Sequence, residues 1–216
     1  MLVSRPSRGD LMSQVTNAGD LPLLSRTPDS WAGAVIKDVL ALLNDHAYLE
    51  KKAASNALEL LNRWPEPDCP HDWVSTLAAI ASDEAAHLSS VVRLLNRRGG
   101  RLERTHRNPY ANALRGLVRK GWGNEELADR LLISALIEAR SCERFEVLAR
   151  CSPDRELARF YARLSSSELG HYTVFVRLAG HVLPEEDIGR RWRELLEAEA
   201  ALIAAQPPGS RMHGGL

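Results

Sequence analysis

The chain is poor in cysteine. Three of its 216 residues are cysteines, Cys69, Cys142 and Cys151, and no two form a CxxC pair. An odd number without regular spacing excludes a disulfide framework and fits a reducing compartment. No run of eighteen apolar residues occurs, so no segment is suited to span a bilayer as a helix. Met1–Asp20 carries arginines but no continuous apolar stretch of the kind a signal peptide needs. The cytoplasm is therefore the expected compartment. Charge of one sign is also lacking: Lys plus Arg and Asp plus Glu number 28 each, so net charge points to no partner. Strand signal is almost absent.

What is present is an ordinary globular composition, 44% hydrophobic and 26% charged. The length suits one domain with tails and can enclose a core without disulfides. Residues 1–25 mix Ser, Gly, Pro and Arg without periodicity and are expected to form a flexible leader. A helical domain over residues 26–206 follows, then an irregular tail over 207–216. Apolar residues at steps of three and four predict helices over about 30–63, 71–97, 124–150, 155–182 and 185–205. Asn124 looks like an N-cap with acids in the turn behind it. The connection over about 98–123 is long; the ones around Pro67 and Pro153 are short. Two antiparallel pairs joined by one long crossover give an all-α, ferritin-like four-helix bundle with an additional C-terminal helix.

Six polar residues interrupt the apolar stripes. Glu50 continues the series Val39, Leu43, His46. Glu84 and His87 continue Leu77 and Ile80. Glu138 lies between Ala135 and Cys142, and Glu168 with His171 between Leu164 and Phe175. A buried carboxylate without a partner is costly, and several in one interior repel one another. Two divalent cations would neutralise four such charges, and carboxylate with imidazole suits iron or manganese. Residues three apart share a helix face, so each Glu-x-x-His can serve one metal. The order Glu, Glu-x-x-His, Glu, Glu-x-x-His is the ligand set of dimetal carboxylate bundles.

Depth agrees. Glu50 and Glu84 each lie 17 residues from Pro67, and Glu138 and Glu168 each lie 15 from Pro153. Glu143 is a rival to Glu138, but it would sit roughly 7 Å out of level at the helical rise per residue. His46 is either a support for Glu50 or a core residue; Asp83 either orients a ligand histidine or is solvated. Cys142 reads as core packing. A third Glu-x-x-His, Glu103 to His106, falls in the nonperiodic crossover without a matching Glu and reads as coincidence.

The crossover is basic. Arg97, Arg98, Arg101, Arg104, Arg107, Arg115, Arg119 and Lys120 are opposed there only by Glu103. This is either a phosphate-binding stretch, with His106 and Tyr110 available for stacking on bases, or a solvated connection whose arginines pair with acids elsewhere.

Several stretches together resemble the bacterial tRNA hydroxylases that act on 2-methylthio-N6-isopentenyladenosine. They are Asp45-His46, Glu50-Lys51-Lys52-Ala53-Ala54, Asp83-Glu84-Ala85-Ala86-His87 and Asn108-Pro109-Tyr110. To these add Ile137-Glu138-Ala139-Arg140-Ser141-Cys142-Glu143-Arg144-Phe145, Ser167-Glu168-Leu169-Gly170-His171 and Arg211-Met212-His213. The resemblance spans about residues 22–215. It implies a monooxygenase using O2 and two iron ions to hydroxylate the isopentenyl group beside the tRNA anticodon. Electrons would come from an external reductase or ferredoxin, since no flavin or rubredoxin-type motif is present. The competing reading is an iron-oxidising or peroxide-detoxifying protein of the ferritin or rubrerythrin type. Nothing in the sequence requires a cage, so a monomer or small oligomer is expected.

Overall fold

The computed structural model describes residue 15 and residues 18–215. Its long helices are α2 (Val39–Leu61), α3 (Trp73–Arg97), α5 (Asn124–Cys151) and α6 (Arg155–Ala179). Short helices α1 (Asp29–Val35) and α4 (Pro109–Arg115) and the C-terminal α7 (Glu185–Ala204) complete the order. Among the described residues there is no strand. Among the same residues no helix is long and apolar enough to cross a membrane.

α2 packs along α3, and α5 along α6, as the two short connections require. α6 starts where Asp154 Oδ1 accepts from the amides of Glu156 and Leu157 (2.9 and 3.1 Å), satisfying two of the free N–H groups of its first turn. The route between the pairs crosses the bundle and carries α4. Here Asn108 caps the helix by accepting from Ala111 N–H at 3.0 Å, and Pro109 takes the first helical position, where it has no hydrogen bond to lose.

Four details differ from the sequence reading. The first expected helix is two: a 3-10 segment at Ile36–Asp38 separates α1 from α2, because the Asp38 side chain accepts from Ala41 N–H and starts a new helix. The crossover is partly helical, for the reason just given. Gly123 holds the N-cap position of α5, and Asn124 is its first helical residue. The expected leader is anchored at its end. Residues 1–14, 16 and 17 lie outside the described residues, but Ala18, Leu21 and Leu23 are buried. Arg26 fastens this turn by donating to the carbonyls of Ala18, Gly19 and Leu21. In the C-terminal tail Met212 and His213 are buried. Met212 N–H donates to Asp45 Oδ2 at 2.8 Å, and Arg144 donates to the carbonyls of Met212 and Gly214.

The core has two apolar halves. One holds Leu77, Ile80, Leu136, Ala139, Tyr172 and Phe175. The other holds Leu42, Leu43, Val91, Leu94, Phe145 and Leu164. Along α2, α3 and α6 the break between halves falls at the predicted polar residues, and along α5 it falls between Cys142 and Phe145, about one turn beyond Glu138. The polar residues of the four helices meet in one layer across the bundle.

Candidate metal centre

That layer contains Glu50 from α2, Glu84 and His87 from α3, Glu138 from α5, and Glu168 and His171 from α6. The carboxylates and His171 are buried, and His87 is nearly so. Donor atoms of Glu50, Glu84, His87 and Glu168 lie within 4.8 Å of one another, and so do those of Glu84, Glu138, Glu168 and His171. Glu84 and Glu168 therefore belong to both groups. The sequence pairs each Glu-x-x-His with one metal; in the fold, Glu84 and Glu168 each have oxygen atoms within reach of both donor groups.

His87 Nδ1 stands 3.6 Å from Glu50, 3.8 Å from Glu84 and 3.4 Å from Glu168. His171 Nδ1 stands 2.7 Å from Glu84 and 4.0 Å from Glu168. Despite this proximity, Glu84 Oε1, Glu168 Oε1, His87 Nδ1 and both ring nitrogens of His171 make no aligned hydrogen bond. Buried polar atoms are ordinarily satisfied. Lone pairs that converge without pairing are what a metal site requires, and a carboxylate–imidazole donor set suits iron or manganese. The residues present fit a two-metal centre.

The protonation energetics agree. Burial pushes Glu50 and Glu138 well above the ordinary carboxylate range. Burial and then the charge of Glu84 lift Glu168 to about 7. Burial acts on Glu84 too, but the neighbouring His171 and His87 outweigh it and hold its carboxyl low. Burial opposes charge on both imidazoles; the surrounding carboxylates overcome it, raising His87 to about 12 and His171 to about 9. Without metal, this interior is tolerable only by holding protons.

The residues around the layer support it. His46 touches Glu50 through Nε2, stacks on Tyr161 with ring centres 5.5 Å apart, and is pushed by burial to about 3, so it is neutral. Exposed Asp83 comes within 3.5 Å of His171 Nε2. Cys142 Sγ donates to the Ser165 carbonyl at 3.2 Å, which is packing. Glu143 faces away from the layer, accepting from Thr27 N–H (2.6 Å), Thr27 Oγ1 (2.7 Å) and Arg140 (3.0 Å). Glu103 and His106 join neither metal-binding group. His106 Nε2 instead lies 2.6 Å from Asp45 Oδ1, and its ring stacks on Tyr48.

A cavity of about 260 Å³ reaches this layer from the surface, with Glu138 in its wall. Leu49, Ala53, Ala111, Val118, Ile133 and Ile137 form its apolar wall, and Asn56, Glu59 and Ser134 belong to its polar part. Lys52, Arg115, Lys120 and Arg130 also line it. Lys52 Nζ rests 3.1 Å from His106 Nδ1. Burial and the nearby Arg115 hold its ammonium below the usual lysine range.

The structure divides the eight basic residues of the crossover. Arg97 and Arg98 pair with Glu156 and Asp154, and Arg119 holds Asp129 through both its backbone and its side chain. Arg101, Arg104 and Arg107 are exposed. Arg115 and Lys120 line the cavity. Lys52 on α2 and Arg130 on α5 do so too, although they lie outside the crossover, and no spacing in the sequence signals them.

Fold and site together define a ferritin-like helical protein with a carboxylate–imidazole centre. The chain belongs to the tRNA-(MS[2]IO[6]A)-hydroxylase (MiaE) family, whose model matches residues 14–214. It is thus an enzyme, a tRNA hydroxylase. It is 39% identical over 190 residues to the tRNA 2-(methylsulfanyl)-N(6)-isopentenyladenosine(37) hydroxylase of Pseudomonas putida, covering 88% of this chain and 90% of that one. It is 28% identical to the enzyme of the same name from Salmonella typhimurium, covering 88% and 86%. Among solved structures it is similar to a Synechococcus protein with aldehyde deformylating oxygenase activity. That match has a TM-score of 0.81 and 32% identity, and covers 89% of this chain and 96% of that one.

Proposed function

We propose that this enzyme hydroxylates the isopentenyl group of 2-methylthio-N6-isopentenyladenosine beside the anticodon of tRNA. In this reading Glu50, Glu84, His87, Glu138, Glu168 and His171 hold two iron ions. Glu50 and His87 serve one, Glu138 and His171 the other, and Glu84 and Glu168 are shared. When bound, the irons supply the O2 chemistry that inserts one oxygen atom into a C–H bond. The balance is RH, O2, two electrons and two protons giving ROH and H2O, with the electrons delivered by an external reductase or ferredoxin.

The cavity is the observation that carries this reading. Its apolar wall suits a branched five-carbon group, and Glu138 brings that wall to the metal-binding layer. The cations along it suit the phosphates of the same RNA, whose neutralisation provides affinity. An unpaired loop presents bases that can be turned out into such a cavity. The two apolar halves of the core keep bulk water from the layer, and His46 fixes one oxygen of Glu50.

Nucleoside mass spectrometry of tRNA from cells with and without the gene tests the assignment. The hydroxylated base is expected only when the gene is present. Equal amounts in both would defeat the substrate assignment.

A further inference from the structure

Trp122 is a large apolar side chain left 61% exposed, in a turn built to hold it there. The turn enters α5. Trp122 N–H donates to the Arg119 carbonyl at 3.3 Å, and Glu125 N–H donates to the Trp122 carbonyl at 3.2 Å. Gly121 and Gly123, on either side, adopt φ of +81° and +60°, conformations that side-chain-bearing residues rarely take. Gly121 N–H donates to Glu126 Oε2 at 2.6 Å, while Glu126 Oε1 accepts from Arg130 Nε at 2.9 Å. Arg119 Nε and Nη2 clamp Asp129 at 3.0 and 2.8 Å. The indole is thus presented outward on a braced loop.

That loop adjoins the cavity. Lys120, two residues before the indole, lines it, and so does Arg130, which is joined to the turn through Glu126. Of the acids that follow it, Glu126 is engaged by Arg130 and Asp129 by Arg119 and Arg191, while Glu125 stands in the first turn of α5. An exposed aromatic face two residues from Lys120, on a loop that adjoins a cavity also lined by Arg115, has the composition of a single-stranded nucleic-acid platform, in which cations follow the backbone and a ring receives a base.

We propose that Trp122 stacks on an unpaired base of the anticodon loop, next to the nucleotide whose prenyl group enters the cavity. This rests on the reading that the cavity takes a tRNA nucleoside. It adds a binding position outside the metal layer and outside the run of basic residues. The stacked base holds the loop in register, and the cations take its phosphates.

The test uses the metal-loaded full chain and a labelled anticodon stem-loop carrying the prenylated adenosine, with binding read by fluorescence anisotropy. Trp122→Ala is expected to weaken binding about tenfold, within the range of base–aromatic stacking. It is expected to raise KM while leaving kcat at saturating RNA and the melting temperature unchanged. Trp122→Phe is expected to recover most of the affinity, because a ring face and not the indole N–H is needed. A fully paired RNA of the same length is expected to bind both proteins alike. Binding of Trp122→Ala within twofold of wild type, or an equal loss on the paired RNA, would overturn the stacking assignment and leave the enzyme reading standing. Failure of the wild-type chain to bind the stem-loop at all would remove that reading and this inference together.

Discussion

His171 Nδ1 stands 2.7 Å from Glu84 Oε1, across the gap between α6 and α3, and neither atom makes an aligned hydrogen bond. Both are buried, and Glu84 is 1% exposed. Such a pair needs a proton or a metal ion to share. The pH behaviour of the centre follows from which of the two is present.

Without metal, His171 is raised to about 9 and His87 to about 12 from an ordinary 6.5, and Glu168 to about 7 from 4.5. A group whose pKa is higher folded than unfolded stabilises the fold below the unfolded value. That contribution is lost as pH rises through the folded value. The metal-free protein is expected to lose stability between pH 6.5 and 9, by at most roughly 1.4 kcal/mol per pH unit from His171. In the loaded protein the imidazoles are neutral ligands, and that slope is expected to flatten. Thermal melting of both forms across this range is the check; identical pH slopes would contradict the account.

Ile137 lines the cavity and is only half buried, so enlarging it fills the cavity without displacing a core residue. Ile137→Trp is expected to retain its metal and its melting temperature within a few degrees. Turnover of prenylated RNA is expected to fall at least tenfold. Undiminished turnover would move the substrate path elsewhere.

The basic residues are not equivalent. Arg115→Ala and Lys120→Ala are each expected to weaken RNA binding and to lower the slope of log affinity against log salt by roughly 0.7 to 1. Arg97→Ala, which breaks an exposed pair with Glu156, is expected to change that slope little. A titration of affinity against salt separates the two classes, and equal effects would show a diffuse contact instead.

Away from the centre, Arg140 is fully buried and donates to Glu199 through Nε and Nη2 at 2.8 and 2.9 Å, and Tyr110 donates to the same carboxylate. Glu199→Ala leaves the guanidinium without that counter-charge. It is expected to cost about 3–5 kcal/mol in urea denaturation, while an apolar replacement of both partners recovers much of the loss. A cost below about 1 kcal/mol would be incompatible with the burial seen.

The polar layer was legible in the sequence because helical periodicity makes a polar residue on an apolar stripe visible, and the equal distances from Pro67 and Pro153 set its level. Features resting on contacts between distant segments were hidden. The seating of Met212 on Asp45 has no periodic signature, and neither does the pairing of Arg140 with Glu199. α4 had a readable start in Asn108-Pro109, but its seven residues are too few to show a pattern. The basic run was visible as composition. Its division into paired and cavity-lining cations depends on where Asp154, Glu156 and Asp129 lie in space.

Anaerobic loading with ferrous ion, followed by removal of free metal and elemental analysis, tests the centre most directly. The wild type is expected to retain about two irons per chain, Glu138→Ala about one, and Glu84→Ala, whose carboxylate belongs to both groups, close to none. A folded wild-type chain that retains no iron would contradict the two-metal centre.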